Sequence, residues 1–100
     1  MSVKLTSQNF DTETAVGVVA VDFYTDGCMP CKRIAPVLAE LESDGAFKLA
    51  KINAENELTL SEKYNVTAAP TILFFKDGKE QTRIVGFANK DKLRGVIEAL

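Results

Sequence analysis

Val18-Val19-Ala20-Val21-Asp22-Phe23-Tyr24-Thr25-Asp26-Gly27-Cys28-Met29-Pro30-Cys31-Lys32 decides how this chain folds. Val18 to Tyr24 is apolar apart from Asp22 and polar tips, and a run apolar on both faces suits a central, buried strand. The segment from Lys32 to Leu41 reads as a helix. Ile34, Val37, Leu38 and Leu41 keep the i, i+3, i+4, i+7 spacing of one buried face. Cys28 and Cys31, the only cysteines of the chain, fall in the first turn of that helix. Residues three apart on a helix share a face. Their Cα atoms can then lie about 5.5–6 Å apart, the span of a disulfide. Such a pair opens and closes without refolding the chain.

One hundred residues with 46% hydrophobic content suit one domain over residues 1–100, with a core that needs no disulfide staples. Twelve basic and fourteen acidic residues give a net charge of −2 and form no basic block. Nothing here favours nucleic acid or an anionic membrane as a partner. Met1 to Phe10 lacks the apolar core of a signal peptide. No stretch approaches the roughly 18 apolar residues of a spanning helix. The expectation is a cytoplasmic protein, where a static disulfide is rare and a cycling one is the usual exception. A zinc site wants four N, S or O ligands, and the chain has no histidine and no third cysteine, so no metal is expected.

Working outward, Val3-Lys4-Leu5 reads as a short strand. Thr6 or Ser7 is a candidate cap for a short helix reaching Thr14. Pro36 falls inside the helix after the cysteines, where its ring predicts a kink. Ser43-Asp44-Gly45 ends that helix. Phe47 to Asn53 is a third strand, and Asn56 a candidate cap for a helix to about Tyr64. Thr71 to Lys76 is a fourth strand. Asp77-Gly78 is a two-residue hairpin turn, so a fifth strand over Lys79 to Val85 returns antiparallel to it. A last helix from about Lys90 shows Leu93, Val96, Ile97 and Leu100 on one face. Gly95 inside it suggests close packing. The order β-α-β-α-β-α-β-β-α gives parallel crossovers and a closing antiparallel hairpin. The fold class is α/β, a mixed five-stranded sheet with helices on both faces.

The thiolate, and not the thiol, attacks a disulfide. Cys28 sits where the first N–H groups of a helix point outward without partners, at the positive end of its dipole. Both favour a negative sulfur. Cys31 lies one turn deeper and is placed to attack a mixed disulfide held on Cys28. Asp22 has two readings from pattern alone. It is a buried carboxylate whose pKa desolvation raises and which can exchange a proton with Cys31, or a strand-end aspartate facing water. Lys51 in the third strand either pairs with it across the sheet or is solvated. Ala69-Pro70-Thr71 precedes the fourth strand, where proline is tolerated. Because only about 5–6% of X–Pro bonds in folded proteins are cis, sequence alone predicts trans.

The ordered set Val21-Asp22-Phe23, Cys28-x-Pro30-Cys31-Lys32, Ala35-Pro36, Lys51-Ile52-Asn53, Ala69-Pro70-Thr71, Phe75-Lys76-Asp77-Gly78 and Gly86 resembles the thioredoxin family over nearly the whole chain. The resemblance implies a thioredoxin-like fold and a protein-disulfide reductase working by dithiol–disulfide exchange, with Cys28 attacking and Cys31 resolving. It implies that Asp22 moves protons for Cys31 with Lys51 beside it. It implies that Pro70 is cis, against the base rate, and that the Ala69 backbone pairs with an extended substrate segment. Gly86 would leave room for that segment, with Met29, Pro30 and Phe87 on the docking surface. The implied partners are disulfide-containing target proteins and a thioredoxin reductase-type electron donor. The chain would act as a monomer with no bound cofactor.

Two positions depart from the family pattern. Gly27 stands where a tryptophan is usual, and Met29 where a glycine is usual. The first removes an apolar contact from the docking surface; the second restores some apolar bulk on an adaptable side chain. Both bear on partner choice and reduction potential, and neither on thiol exchange itself. The alternative reading is a non-catalytic binding module on the same scaffold.

Overall fold

The computed structural model describes residues 2–100. The elements run β1 (Val3–Lys4), α1 (Phe10–Thr14), β2 (Val18–Tyr24), α2 (Met29–Ser43), β3 (Lys48–Asn53), α3 (Leu58–Lys63), β4 (Thr71–Lys76), β5 (Lys79–Val85) and α4 (Lys90–Glu98). They form one five-stranded sheet in the order β1-β3-β2-β4-β5. β1, β3 and β2 are parallel; β4 runs antiparallel to β2, and β5 antiparallel to β4. The mixed α/β sheet expected from the element order is the sheet observed.

Strand alternation sorts the core onto two faces. Ala20, Leu49, Ile72, Phe74 and Ile84 face α2 and α4, packing with Ile34, Leu38, Leu41 and Leu93. Val19, Val21, Phe23, Ile52, Leu73 and Phe75 face the other way, with Phe10 of α1 and Leu60 of α3. Parity places Asp22 and Lys51 with Ala20 and Leu49, on the α2 face. Asp22 is the register partner of Lys51 on one side and of Ile72 on the other. The end of the sheet where β2 hands over to α2 therefore has a charged pair beneath the cysteines.

The Asp77-Gly78 turn has positive φ at both residues, +50° and +89°, as a type I′ hairpin requires. Asp77 also ties the turn to β2. Its Oδ1 accepts from the Gly17 N–H at 2.8 Å, and its own N–H donates to the Gly17 carbonyl at 3.0 Å.

One local expectation is met in part and two are corrected. Thr6 opens the turn that leads into α1: its Oγ1 accepts from the Gln8 N–H at 3.3 Å, its carbonyl from the Phe10 N–H at 3.0 Å, and Asn9 Oδ1 accepts in return from the Thr6 N–H at 2.7 Å, while the helix proper begins after Asn9. Asn56 does not cap α3. Asn53 shapes the turn instead, its Oδ1 accepting from the Glu55 N–H at 3.0 Å, and Glu57 occupies the cap position. Gly95 is not required by packing, since a Cβ there would meet nothing within 4 Å. Pro36 lies inside α2 without ending it.

Candidate active site

Cys28 is the N-cap of α2, with extended backbone (φ −86°, ψ 109°), and its Sγ accepts from the Cys31 N–H at 3.2 Å. The two sulfurs form a disulfide, with Cα atoms 5.2 Å apart. Pro30 falls in the first turn, where a missing N–H costs no helical hydrogen bond. The amide that remains to face the sulfur is the Cys31 N–H. In the reduced protein that donor and the helix dipole favour the thiolate form of Cys28. Cys28 is partly exposed, whereas Cys31 is only 5% exposed. An incoming disulfide meets Cys28 first.

The loop before β4 closes over this pair. The Ala69-Pro70 peptide bond is cis, as the resemblance implied and the base rate did not. The Ala69 carbonyl oxygen lies 3.6 Å from Cys28 Sγ. A disulfide sulfur has no proton to give, so in the oxidised chain this is a contact and not a hydrogen bond. Thr71, which sequence reasoning passed over, donates its hydroxyl to the Ala68 carbonyl at 2.6 Å and is itself buried. It holds the turn that presents Ala69. The Gly86 N–H donates to the Pro70 carbonyl at 2.8 Å. Gly86 has φ +88°, and open space where a side chain would stand.

Beneath the pair, Asp22 is 1% exposed and its Oδ1 has no hydrogen-bond partner in the protein. Burial pushes its carboxyl up from 3.8 to about 6, and the Lys51 ammonium pulls back in part. Asp22, Cys31, Lys51, Gly27 and Lys32 line one cavity of about 460 Å³. Of the two readings of Asp22, the strand-end aspartate facing water is thereby corrected: the strand is covered by α2. A carboxyl poised near neutrality opens onto the same space as the inner cysteine.

A second groove, of about 370 Å³, runs from Cys28 along Val66, Ala68 and Ala69 toward Leu58. Met29 is 64% exposed and Phe87 39%. Phe87 lies under the Arg33 guanidinium, whose central carbon is 4.5 Å from the ring centroid. Arg33 is a second residue missed from sequence, although its i, i+4 spacing from Met29 was readable. Leu58 and Val66 carried no such signal, because their place beside Cys28 depends on how α3 meets the loop before β4.

The family model for thioredoxin matches residues 1–99. The chain belongs to the thioredoxin family. It is 42% identical to the thioredoxin of Staphylococcus saprophyticus over 98 residues, covering 96% of this chain and 94% of that one. With the thioredoxin of Chlamydia caviae it shares 39% identity over 90 residues, covering 89% and 88%. Among solved structures, a mutant thioredoxin from Halobacterium salinarum NRC-1 matches with a TM-score of 0.91 at 30% identity, over 98% of this chain and 88% of that one. The thioredoxin-like fold expected from sequence is borne out. With the family and the closed cysteine pair together, the chain is a thiol–disulfide oxidoreductase. Nothing favours the non-catalytic alternative. Membership of the family implies, in general, disulfide-containing targets and a reductase donor. Among the described residues, no helix is long and apolar enough to cross a membrane.

Proposed function

We propose that this thioredoxin-family chain works in the cytoplasm as a monomeric reductant of protein disulfides, with residues 1–100 acting as one domain. The Cys28 thiolate attacks one sulfur of a target disulfide. A mixed disulfide forms, and the other target sulfur leaves as a thiolate and takes a proton from solvent. Asp22 as carboxylate then accepts the Cys31 proton. The Cys31 thiolate attacks Cys28 Sγ, closing the Cys28–Cys31 disulfide, and the second target sulfur leaves as a thiolate that takes up the proton held by Asp22. Two electrons have passed to the target, and a dithiol donor of the thioredoxin reductase type returns them. Lys51 is a positioning residue that keeps the Asp22 carboxylate accessible near neutral pH. The Ala69 backbone holds the target as an added strand, with Pro70, Gly86, Met29, Pro30 and Phe87 framing it.

The observation that carries this reading is the asymmetry of the pair: an accessible Cys28 capping a helix, and a shielded Cys31 that shares its cavity with a buried carboxyl. Insulin reduction in dithiothreitol tests it. Cys28→Ser should reduce the rate to the dithiothreitol background, and equal turnover by the wild type and this variant would refute the reading.

A further inference from the structure

Cys28 and Cys31 open onto different spaces. Cys28 lines the groove beside Ala69, and Cys31 lines the cavity it shares with Asp22. That cavity reaches the surface. Asp26, Gly27 and Lys32, all exposed, lie round it, while Asp22 and Cys31 are buried. Gly27 leaves its mouth clear. It has no side chain, its φ of +73° strains any residue that has one, and a Cβ there would meet nothing within 4 Å. The volume of about 460 Å³ would hold about fifteen waters at ~30 Å³ each. A molecule of a few non-hydrogen atoms fits; a folded partner does not.

We propose that this cavity is a second entrance to the disulfide, through which a low-molecular-weight thiol attacks Cys31 and reduces the oxidised chain, while protein partners exchange at Cys28. The proposal rests on the exchange reaction given above. Which sulfur a thiolate attacks depends on access and on the leaving group. Attack on Cys31 expels Cys28 as a thiolate at the N-terminus of α2, with the Cys31 N–H 3.2 Å from its sulfur. Attack on Cys28 expels Cys31 into a buried site that also holds the Asp22 carboxylate, where desolvation and like charge both oppose a second anion. Leaving-group chemistry thus favours Cys31 for every thiol. Access reverses the preference for a protein, because Cys31 is only 5% exposed. A nucleophile small enough for the cavity follows the chemistry. The electrons balance over two thiols. The first loses its proton to solvent, its sulfur bonds to Cys31 Sγ, and the Cys28–Cys31 bond breaks. A second thiolate attacks the sulfur just delivered. The small disulfide leaves, and Cys31 departs as a thiolate that takes a proton from water. Two thiols are oxidised to one disulfide, and the chain gains two electrons.

The test reads where the thiol lands. The oxidised full chain is mixed with mercaptoethanol in the presence of iodoacetamide, which caps the sulfur set free. Tandem mass spectrometry then locates the mercaptoethanol on Cys31 or Cys28. Iodoacetamide is raised until the ratio no longer changes, so that slow capping of one sulfur does not bias it. Mercaptoethanol should be found on Cys31 over Cys28 by about tenfold, and a folded single-cysteine protein thiol chiefly on Cys28. Ala35→Phe places a ring in the cavity lining. It should slow reduction by mercaptoethanol about tenfold and leave reduction by the protein thiol within about twofold. The wild-type ratio needs no variant, so the test survives if Ala35→Phe does not fold. Single-turnover reduction of insulin by the prereduced wild type runs alongside. If insulin is reduced but mercaptoethanol sits on Cys28, the proposal is overturned while the exchange reading stands. Equal slowing of both thiols by a folded Ala35→Phe would overturn it in the same way. If insulin is not reduced, the exchange reading fails and this proposal with it.

Discussion

Replacing Asp22 by asparagine keeps the outline of the side chain and removes its charge at every pH. Burial raises this carboxyl from 3.8 to about 6, against a smaller opposing pull from Lys51. The folded chain thus holds the proton more tightly than the unfolded chain does. As pH rises from about 3.8 to about 6, the unfolded state sheds its proton first, and wild-type stability falls; above that window it levels off. At ~1.36 kcal/mol per pKa unit the whole loss is about 3 kcal/mol. The D22N variant has no ionisation at this site and suffers no such loss. Its stability advantage should therefore grow by about 3 kcal/mol between strongly acid and mildly alkaline solution, with most of the change between about pH 4 and pH 6.5.

An unpaired buried amide costs about 1–3 kcal/mol. That cost is independent of pH, so it displaces the difference curve without changing its slope. Urea unfolding of the oxidised protein in steps from pH 4 to pH 8 reads the curve directly. For m values of about 1–3 kcal/mol/M, the variant's midpoint should move upward relative to wild type by roughly 1–3 M across the range. Parallel curves at all pH values would mean that Asp22 titrates alike in both states, and the burial argument would be wrong.

Three further outcomes are expected. Lys51→Met removes the attraction that lowers the Asp22 pKa, so carboxyl titration followed by NMR should find Asp22 above its wild-type value, with the stability loss extending to higher pH. In rapid-quench experiments D22N should resolve the mixed disulfide more slowly than it forms it, so that the species trapped on Cys28 accumulates; unchanged single-turnover rates for both steps would exclude the proton-transfer role. Gly95→Ala should stabilise the fold by about 0.5–1 kcal/mol, raising Tm by roughly 2–8 °C in thermal unfolding, because Gly95 is helical and a Cβ there meets open space.

The bounds of β2, β4 and β5 were legible because each is fixed by short-range chemistry. A run apolar on both faces calls for cover on both, as in β4 and, but for Asp22, in β2, and Asp77-Gly78 fixes the turn between the strands it joins. The helix starts were less legible. Asn56 and Asn53 are the same residue type three positions apart, and sequence alone does not choose between them as the residue that shapes the start of α3. Asn53 prevails because β3 delivers it, buried, to the end of the sheet, where its side chain reaches the Glu55 N–H. Glu57 then stands at the cap position while its carboxylate is engaged by the Ser7 N–H at 2.9 Å, a contact fifty residues away in sequence. Gly95 misled for the opposite reason: its neighbours in sequence are helical, and nothing in sequence says that the space beside it is empty.

The cysteines could be read directly, since spacing and a helix start are local facts. Asp22 could not, and the reason is physical. Its position in an apolar run gives the parity of its side chain but not what covers that face. The cover is α2, and its inner face puts Cys31 over the same cavity that Asp22 and Lys51 line. A carboxylate so placed weakens the fold at neutral pH by an amount close to a large core mutation. Stability alone would favour a neutral residue there, and the proton-acceptor role proposed for Asp22 in the reduced protein would give the carboxylate its reason. Site and instability are thus one feature, and a variant at position 22 that gained stability while keeping full resolution speed would separate them.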